Sequence, residues 1–156
     1  MMGRIVVVVI AVTALIVGAS IYYLQVYAFY DRVAPGSVPM TLVPQGADQP
    51  QRVEVADFQA IDASSSPLRF RACFTLPESV AALAQRYTAY PKAEPLIAPG
   101  WFDCFDAAEI GAALETGAAT AFLSQRNIAD GVDRVIAVYA DGRAFAWHQL
   151  NEKYRD

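Results

Sequence analysis

The sequence is poor in the residues that most often carry catalysis and metal binding. Its 156 residues include one histidine, His148, and two cysteines, Cys73 and Cys104. A single histidine cannot build a local histidine-rich metal site, and without a CxxC pair a thioredoxin-like mechanism has no support. The sequence also lacks a glycine-rich phosphate loop and a Gly-x-Ser-x-Gly nucleophile motif. We therefore expect no catalytic residues, no metal site and no cofactor, and predict that the protein is not an enzyme.

The charge distribution argues against a second class of function. Residues 31–156 hold 11 lysines and arginines against 16 aspartates and glutamates, which gives a net charge of −5. The two signs are interspersed, with no basic stripe along which a phosphate backbone could bind. We expect no nucleic acid among the partners.

Charged residues are also missing from residues 5–30, and this stretch is strongly hydrophobic. Residues 5–24 alone provide 20 positions, enough for a helix to cross a hydrocarbon core of about 30 Å. Aromatic side chains between Tyr22 and Tyr30 suit the headgroup layer at the far end of such a helix. We predict a transmembrane anchor over residues 1–30, embedded in the lipid bilayer.

The orientation of this anchor depends on few charges. Arg4 and the amino terminus precede the apolar stretch. By the positive-inside rule they place the N-terminus in the bacterial cytoplasm and the rest of the chain in the periplasm. The competing interpretation is a cleaved signal peptide, because Val17-Gly18-Ala19 resembles a small-residue cleavage site. The apolar stretch continues well past Ala19, which favours a retained, single-pass anchor in the inner membrane.

Small residues mark one side of the predicted anchor helix. Ala14 and Gly18 are four positions apart and so share a helix face. Such small-xxx-small faces let two helices approach closely in a bilayer. They also occur in membrane helices that touch nothing, so a helix–helix contact with a membrane-protein partner is one of two interpretations.

Cys73 and Cys104 both fall in the part of the chain predicted to be exported, where oxidation is permitted. A structural disulfide between them closes a loop of about 30 residues, for which the chain-entropy model gives some 3 to 4 kcal/mol. The alternatives are inert thiols, or a thiol-redox or metal-handling function. We predict the disulfide.

Proline and glycine divide the exported part of the chain. All nine prolines lie between Pro35 and Pro99, and four of them precede residue 52. Such a composition is typical of a partly extended linker, to which residues 40–43 could add a short edge strand. We predict a linker over residues 31–51 that lifts a domain of residues 52–156 off the bilayer.

The predicted domain alternates between the period of strands and the period of helices. Phe70, Ala72 and Phe74 alternate with polar residues, which indicates a half-buried strand. A capping-box pattern at residues 75–78 and the cap residue Asp106 precede two runs with helical spacing. We predict strands over residues 52–61, 68–75 and 118–123 and in a C-terminal hairpin, and helices ending near residues 89 and 117. The fold class is α+β: one N-terminal transmembrane helix plus a small domain of about five mostly antiparallel strands and two helices.

The C-terminal hairpin has a turn motif at Asp141-Gly142, between two alternating runs. Counting outward from a two-residue turn pairs Val138 with Phe145 on the bulky core face. The same count puts His148 among small residues on the opposite face, where a packed or edge position is expected.

Aromatic residues cluster around the second cysteine. Trp101, Phe102 and Phe105 follow a Pro/Gly break and flank Cys104. If exposed, they would form a partner-binding surface; the simpler alternative is burial around the disulfide. The acidic residues nearby, at the start of the second predicted helix, suit a helix cap better than a calcium loop.

Several strings of this chain occur together in a known pattern: residues 68–74, 101–107, 133–139 and 147–149. With them the chain resembles an uncharacterised family of small, membrane-anchored bacterial proteins, over most of its length. Members are sometimes labelled histidine kinases. The resemblance implies no such activity here, because His148 lies in a predicted strand and the nucleotide-binding glycine motifs are missing. It provides no functional residues to carry over.

These observations together predict a membrane-tethered periplasmic accessory or scaffolding protein that binds a membrane-protein partner. One alternative is a periplasmic thiol-redox or metal-handling factor that uses Cys73 and Cys104. A third is an extracytoplasmic ligand-binding module, which would need an apolar pocket in the domain.

Overall fold

The computed structural model describes residues 2–154, and its contacts divide the chain into two units, Met1–Tyr30 and Asp31–Asp156. In the first unit, helix α1 (Met2–Tyr23) continues through a π-helical turn (Leu24–Ala28). No residue of α1 is buried. The 27 residues from Met2 to Ala28 are long and apolar enough to span a membrane.

The second unit, referred to below as the body, contains eight strands and two helices in its described part, residues 31–154. In chain order they are β1 (Asp31–Val33), β2 (Thr41–Leu42), β3 (Gln51–Arg52), β4 (Ala56–Asp62), β5 (Arg71–Thr75), α2 (Val80–Arg86), α3 (Ala107–Thr116), β6 (Ala119–Ala129), β7 (Val132–Tyr139) and β8 (Arg143–Leu150).

Six strands form one antiparallel sheet in the order β1-β4-β5-β8-β7-β6, and β2 pairs with β3 separately. The predicted α+β class with an N-terminal apolar helix is confirmed. The body has more strands than the predicted five, because β1, β2 and the first of the two residues of β3 come from the residues predicted to be a linker.

The first face of the six-stranded sheet carries small side chains across its centre. Ala60, Ala72 and Ala146 are cross-strand neighbours in β4, β5 and β8, and Ile136 and Phe122 continue the row. Such small side chains leave room for large ones packing from above. The large side chains come from the β2–β3 region, from α2 and from the C-cap of α2: Met40, Leu42, Val53, Leu83 and Tyr87.

Residues 31–51 therefore do not form the predicted linker. Residues 31–33 pair with β4 at the sheet edge, while Met40 and Leu42 are buried in the core with exposed fractions of 2% and 0%. Proline and glycine are dense here because the chain turns sharply, with φ angles of +81° at Gly36 and +74° at Gly46. The body begins at Asp31, directly after the first unit.

The C-terminal hairpin has the predicted turn, but its register differs from the prediction by one residue. Val138 pairs with Ala144 rather than Phe145, because the loop between the strands holds three residues instead of two. Gly142 makes this loop possible with a φ of +89°, and it approaches the carbonyl of Leu76 so closely that a Cβ would lie 2.9 Å from that oxygen. A one-residue shift moves every side chain of β8 to the other face.

Of the two helix caps predicted in the body, the structure confirms one and corrects the other. Helix α3 is capped as predicted: the Asp106 carboxylate accepts from the amides of Ala108 and Glu109. Helix α2 starts later than predicted, since Ser79 and not Thr75 is its cap. Thr75 is the last residue of β5.

Replacing Leu42 by alanine is expected to lower the free energy of unfolding by about 2–5 kcal/mol, because it opens a cavity in the core. The measurement is denaturant unfolding of the full chain in detergent, followed by tryptophan fluorescence. Ile97→Ala, at a position with an exposed fraction of 82%, is the control and should change stability by less than about 0.5 kcal/mol. Equal, small effects of the two substitutions would contradict the burial of Leu42 in the core.

Candidate functional site

The second face of the sheet lies under an irregular segment, residues 91–106, and under α3. Cys73, on β5, forms a disulfide with Cys104 of this segment, with a Cα–Cα distance of 6.3 Å. Cys73 is buried with an exposed fraction of 7%. The predicted disulfide is confirmed, and it fastens the segment that precedes α3 to the centre of the sheet.

Arg71, two positions before Cys73 on the same face, holds the segment a second time. Its Nε donates to the carbonyl of Leu96 at 2.7 Å, and Nη2 donates to the carbonyl of Ile97 at 3.0 Å. Nη1 donates to the carbonyls of Leu68 and Phe70. Only 3% of Arg71 is exposed. Four backbone carbonyls thus accept hydrogen bonds from the guanidinium, which lies beside a cysteine already oxidised in the disulfide.

Gln149 holds the start of the same segment. Its side-chain nitrogen donates to the carbonyl of Lys92 at 2.9 Å, and its oxygen accepts from the amide of Glu94 at 2.8 Å. The same oxygen accepts from Nε1 of the fully buried Trp147 at 3.0 Å. A segment with little regular structure thus has its backbone groups bonded by buried side chains, as burial requires.

The three aromatic residues near Cys104 do not form one exposed surface. Phe102 and Phe105 are buried, with exposed fractions of 4% and 5%. The Phe105 ring packs edge-on against Phe145 and Trp147. Trp101 alone is partly exposed, so the prediction of a partner-binding surface fails for two of its three residues. Burial around the disulfide explains their position.

His148 lies on the first face, and hydrogen bonds engage both of its ring nitrogens. Nδ1 is 2.6 Å from the carbonyl of Pro67 and therefore donates to it, while Nε2 accepts from Nε of Arg134 at 3.0 Å. The ring stacks on Phe70 with centroids 4.8 Å apart. Burial, followed by the nearby charge of Arg134, lowers the pKa of His148 to about 4. The histidine is packed and neutral at physiological pH.

Arg134 is the residue of this cluster that the sequence does not reveal. It pairs with His148 across β7 and β8, and its guanidinium carbon lies 4.5 Å from the centroid of the Phe70 ring. Burial lowers the pKa of Arg134 to about 10, against the opposing effect of the Asp62 charge. Burial likewise raises the pKa of Asp62. The sequence signal for it is the charged pair Asp133-Arg134 at the start of an apolar run, and the predicted register gives Arg134 the wrong cross-strand partner.

Asp133 is a buried acidic residue, with an exposed fraction of 1%. One carboxylate oxygen accepts from the amide of Asn127 and from the side chain of Asn151, both at 2.9 Å. The other accepts from the hydroxyl of Tyr90 at 3.2 Å. Asn127 has a φ of +46°, so Asp133 stabilises a strained position in β6 and ties the C-terminal tail to it.

Besides a depression of about 520 Å³ between residues 35–40 and 52–58, two others occur on the described surface of the body. One, of about 700 Å³, lies between α3, β6 and residues 89–95 and is lined mainly by alanine, glycine and proline. The other, of about 470 Å³, is polar and surrounds the start of the C-terminal tail. Neither is lined by Cys73, Cys104 or His148. The ligand-binding alternative stays a prediction.

Ala14 and Gly18 lie on α1, in the first unit, where both are exposed. A Cβ added to Gly18 would meet no atom within 4 Å. Both residues carry little side-chain bulk, which is what close approach by another helix requires. Among residues 2–154, no group of three or more His, Cys, Asp or Glu side chains is placed to hold a metal ion.

Comparison with known proteins gives one match. A family model described as "Family of unknown function (DUF6446)" matches residues 40–156. No curated protein matches the chain, and neither does any solved structure. The matched region starts at the first core residue of the β2 segment, Met40, and thus includes residues 40–51 of the predicted linker.

Replacing both cysteines by alanine is expected to lower the free energy of unfolding by about 3 to 4 kcal/mol, because the crosslink restricts the unfolded chain. Denaturant unfolding in detergent measures the change. The wild-type chain unfolded with reductant present is the control and should match the variant. Uptake of an alkylating reagent by the native, unreduced protein would contradict the disulfide.

The low pKa of His148 predicts a pH-dependent stability. The unfolded chain binds a proton at His148 below about pH 6.5, but the folded chain binds it only below about pH 4. Unfolding therefore takes up a proton between these values, so this contribution, about 3 kcal/mol, is lost as the pH falls from 6.5 to 4.

The test compares the unfolding of the wild-type chain and of His148→Gln across this pH range. The carboxylates titrate in both proteins, so the difference between the two curves isolates the histidine. An NMR titration of the single imidazole checks the pKa directly, and a value near 6.5 in the folded chain would contradict the buried, neutral histidine.

Proposed function

We propose that this chain, which belongs to the DUF6446 family of unknown function, is a single-pass membrane protein with an accessory or scaffolding role for a membrane-protein partner. The observation that carries the proposal is the division of the chain. An apolar helix of 27 residues, without a single buried residue in α1, precedes a body that has its own complete core. Lipid or another membrane helix is the medium in which such a surface is stable.

The body is proposed to lie in the periplasm, with the N-terminus in the cytoplasm. Arg4 is the only charged side chain before the apolar stretch, and positive residues favour the cytoplasmic side. The disulfide between Cys73 and Cys104 supports the same orientation, because such bonds persist in oxidising compartments. A cleaved signal sequence would put the body in the same compartment but without its anchor.

The contact with the partner is proposed to involve the face of α1 that carries Ala14 and Gly18. The absence of side-chain bulk there permits close helix packing, which is a main source of association between helices in lipid. No catalytic step is included in the proposal. The two cysteines are joined to each other, and both nitrogens of His148 are engaged in the fold, so the side chains best suited to chemistry already have structural roles.

Affinity purification of the full chain in mild detergent tests the partner. We expect a membrane protein to be recovered with the wild-type chain and lost with Gly18→Leu, because the leucine prevents close packing at that face. Val12→Leu, on the opposite side of the helix, is the matched control and should retain the partner. Recovery of the chain alone under several detergent conditions would exclude the accessory role.

The topology is tested by fusing alkaline phosphatase after Asp156, since this enzyme is active only where its disulfides form. We expect an active fusion that stays in the membrane fraction. An inactive fusion would reverse the orientation, and an active fusion released as a soluble protein would replace the anchor by a cleaved signal sequence.

A further inference from the structure

One apolar side chain of the body is exposed far more than the others. Ile97 has an exposed fraction of 82%, whereas the next aliphatic side chain of the described body, Leu150, has 38%. Single exposed aliphatic residues are common on protein surfaces. Ile97 differs in its setting, because it stands four positions from the partly exposed Trp101 in a loop, residues 97–101, whose backbone is held in place.

The loop is fixed at both of its ends. At the Ile97 end, the buried guanidinium of Arg71 donates to the Ile97 carbonyl at 3.0 Å. At the other end, Trp101 packs edge-on against the buried Phe102, with ring centroids 6.4 Å apart, and the disulfide follows at Cys104. The two apolar side chains are therefore presented by a rigid support, which reduces the entropy lost when they bind a surface.

The position of the loop in the body follows from the strand register. Arg71 is directly opposite Ile61, and Ile61 is directly opposite Arg32 of the edge strand β1. These three residues share one face of the sheet. The guanidinium of Arg32 lies 5.9 Å from the centroid of the Trp101 ring. The loop thus crosses the second face from β5 to β1 and ends beside Arg32.

The chain itself links this edge to the anchor. Arg32 comes four residues after Ala28, where the apolar helix ends, so at most about 14 Å of extended chain separates them. A helix of 27 residues is about 40 Å long, close to the thickness of a bilayer with its headgroup layers, about 40–45 Å. If the helix spans the membrane, Arg32 and the adjoining Trp101 lie within reach of the headgroup layer.

From this connection we infer a second membrane contact: the loop of residues 97–101 inserts Ile97 and Trp101 into the headgroup layer of the bilayer that holds the anchor. The inference rests on the proposed retention of the anchor. Tryptophan is enriched at this depth of membranes because its ring is apolar and its N–H is polar. The occupant of this surface is lipid, and the anchor raises its local concentration so that even a small apolar area suffices.

Tryptophan fluorescence tests the contact in the full chain, reconstituted into phosphatidylcholine vesicles without any other protein. The chain has two tryptophans, and Trp147 is fully buried, so its emission is a constant background. We expect phosphatidylcholine brominated near the carbonyl end of its acyl chains to quench Trp101 more strongly than lipid brominated near the methyl end. In Trp101→Phe, the quenchable component should disappear.

Two charge substitutions test whether the loop of residues 97–101, and not another part of the body, contacts the lipid. Ile97→Asp places a charge in the proposed contact and should reduce the quenching of Trp101 to less than half. Ala112→Asp, at an exposed position of α3, is the matched control and should leave the quenching unchanged. Both positions are outside the core, and the unchanged emission of Trp147 reports that each variant is folded.

Extraction of the vesicles with alkaline carbonate distinguishes the two proposals. A chain that resists extraction but shows no quenching of Trp101 overturns the lipid contact and leaves the anchor standing. A chain that is extracted has no stable anchor, and the lipid contact is overturned with it. Equal quenching in the wild-type chain and in Ile97→Asp also contradicts the insertion of this loop.

Discussion

Burial of both faces of the central sheet is the constraint on which the rest of the body depends. An unpaired polar group that faces either side of such a sheet is buried, and its burial costs free energy. The segment covering the second face, residues 91–106, has little regular structure, so few of its backbone groups bond to one another. The Cys73–Cys104 disulfide, Arg71 and Gln149 together solve this problem. They bond the segment to strands β5 and β8. These bonds replace the internal hydrogen bonds that a helix or a sheet would have in its place.

The first face is covered in a different way, and this determines where the body begins. The neighbouring Ala60, Ala72 and Ala146 have small side chains and leave space above the sheet. Large side chains from outside the sheet fill this space. Met40 and Leu42 do so. Residues 40–43 are thus part of the core, and strand β1 begins at Asp31, three positions after the apolar helix ends at Ala28.

The sequence predicted the elements that depend on local pattern and missed those that depend on distant neighbours. The Asp106 cap, the Asp141-Gly142 turn and the disulfide follow from residue type and spacing. The register of the hairpin does not, because a three-residue loop and a two-residue loop share the same turn motif, and one residue exchanges the two faces. The error hid the Arg134–His148 pair. Proline content likewise suggests a linker over residues 31–51. The burial of Leu42 contradicts it, but that burial depends on strands far along the chain and leaves no local signal.

The same bonding pattern limits where a function can reside. Five buried polar side chains bond to other parts of the body: His148, Arg134, Arg71, Asp133 and Gln149. Buried polar networks with every member bonded make a fold rigid and specific, and a change at any one of them disturbs its partners before it creates a reactive group. A rigid body can present a surface of fixed shape, and both the proposed scaffolding role and the proposed lipid contact of residues 97–101 depend on this property.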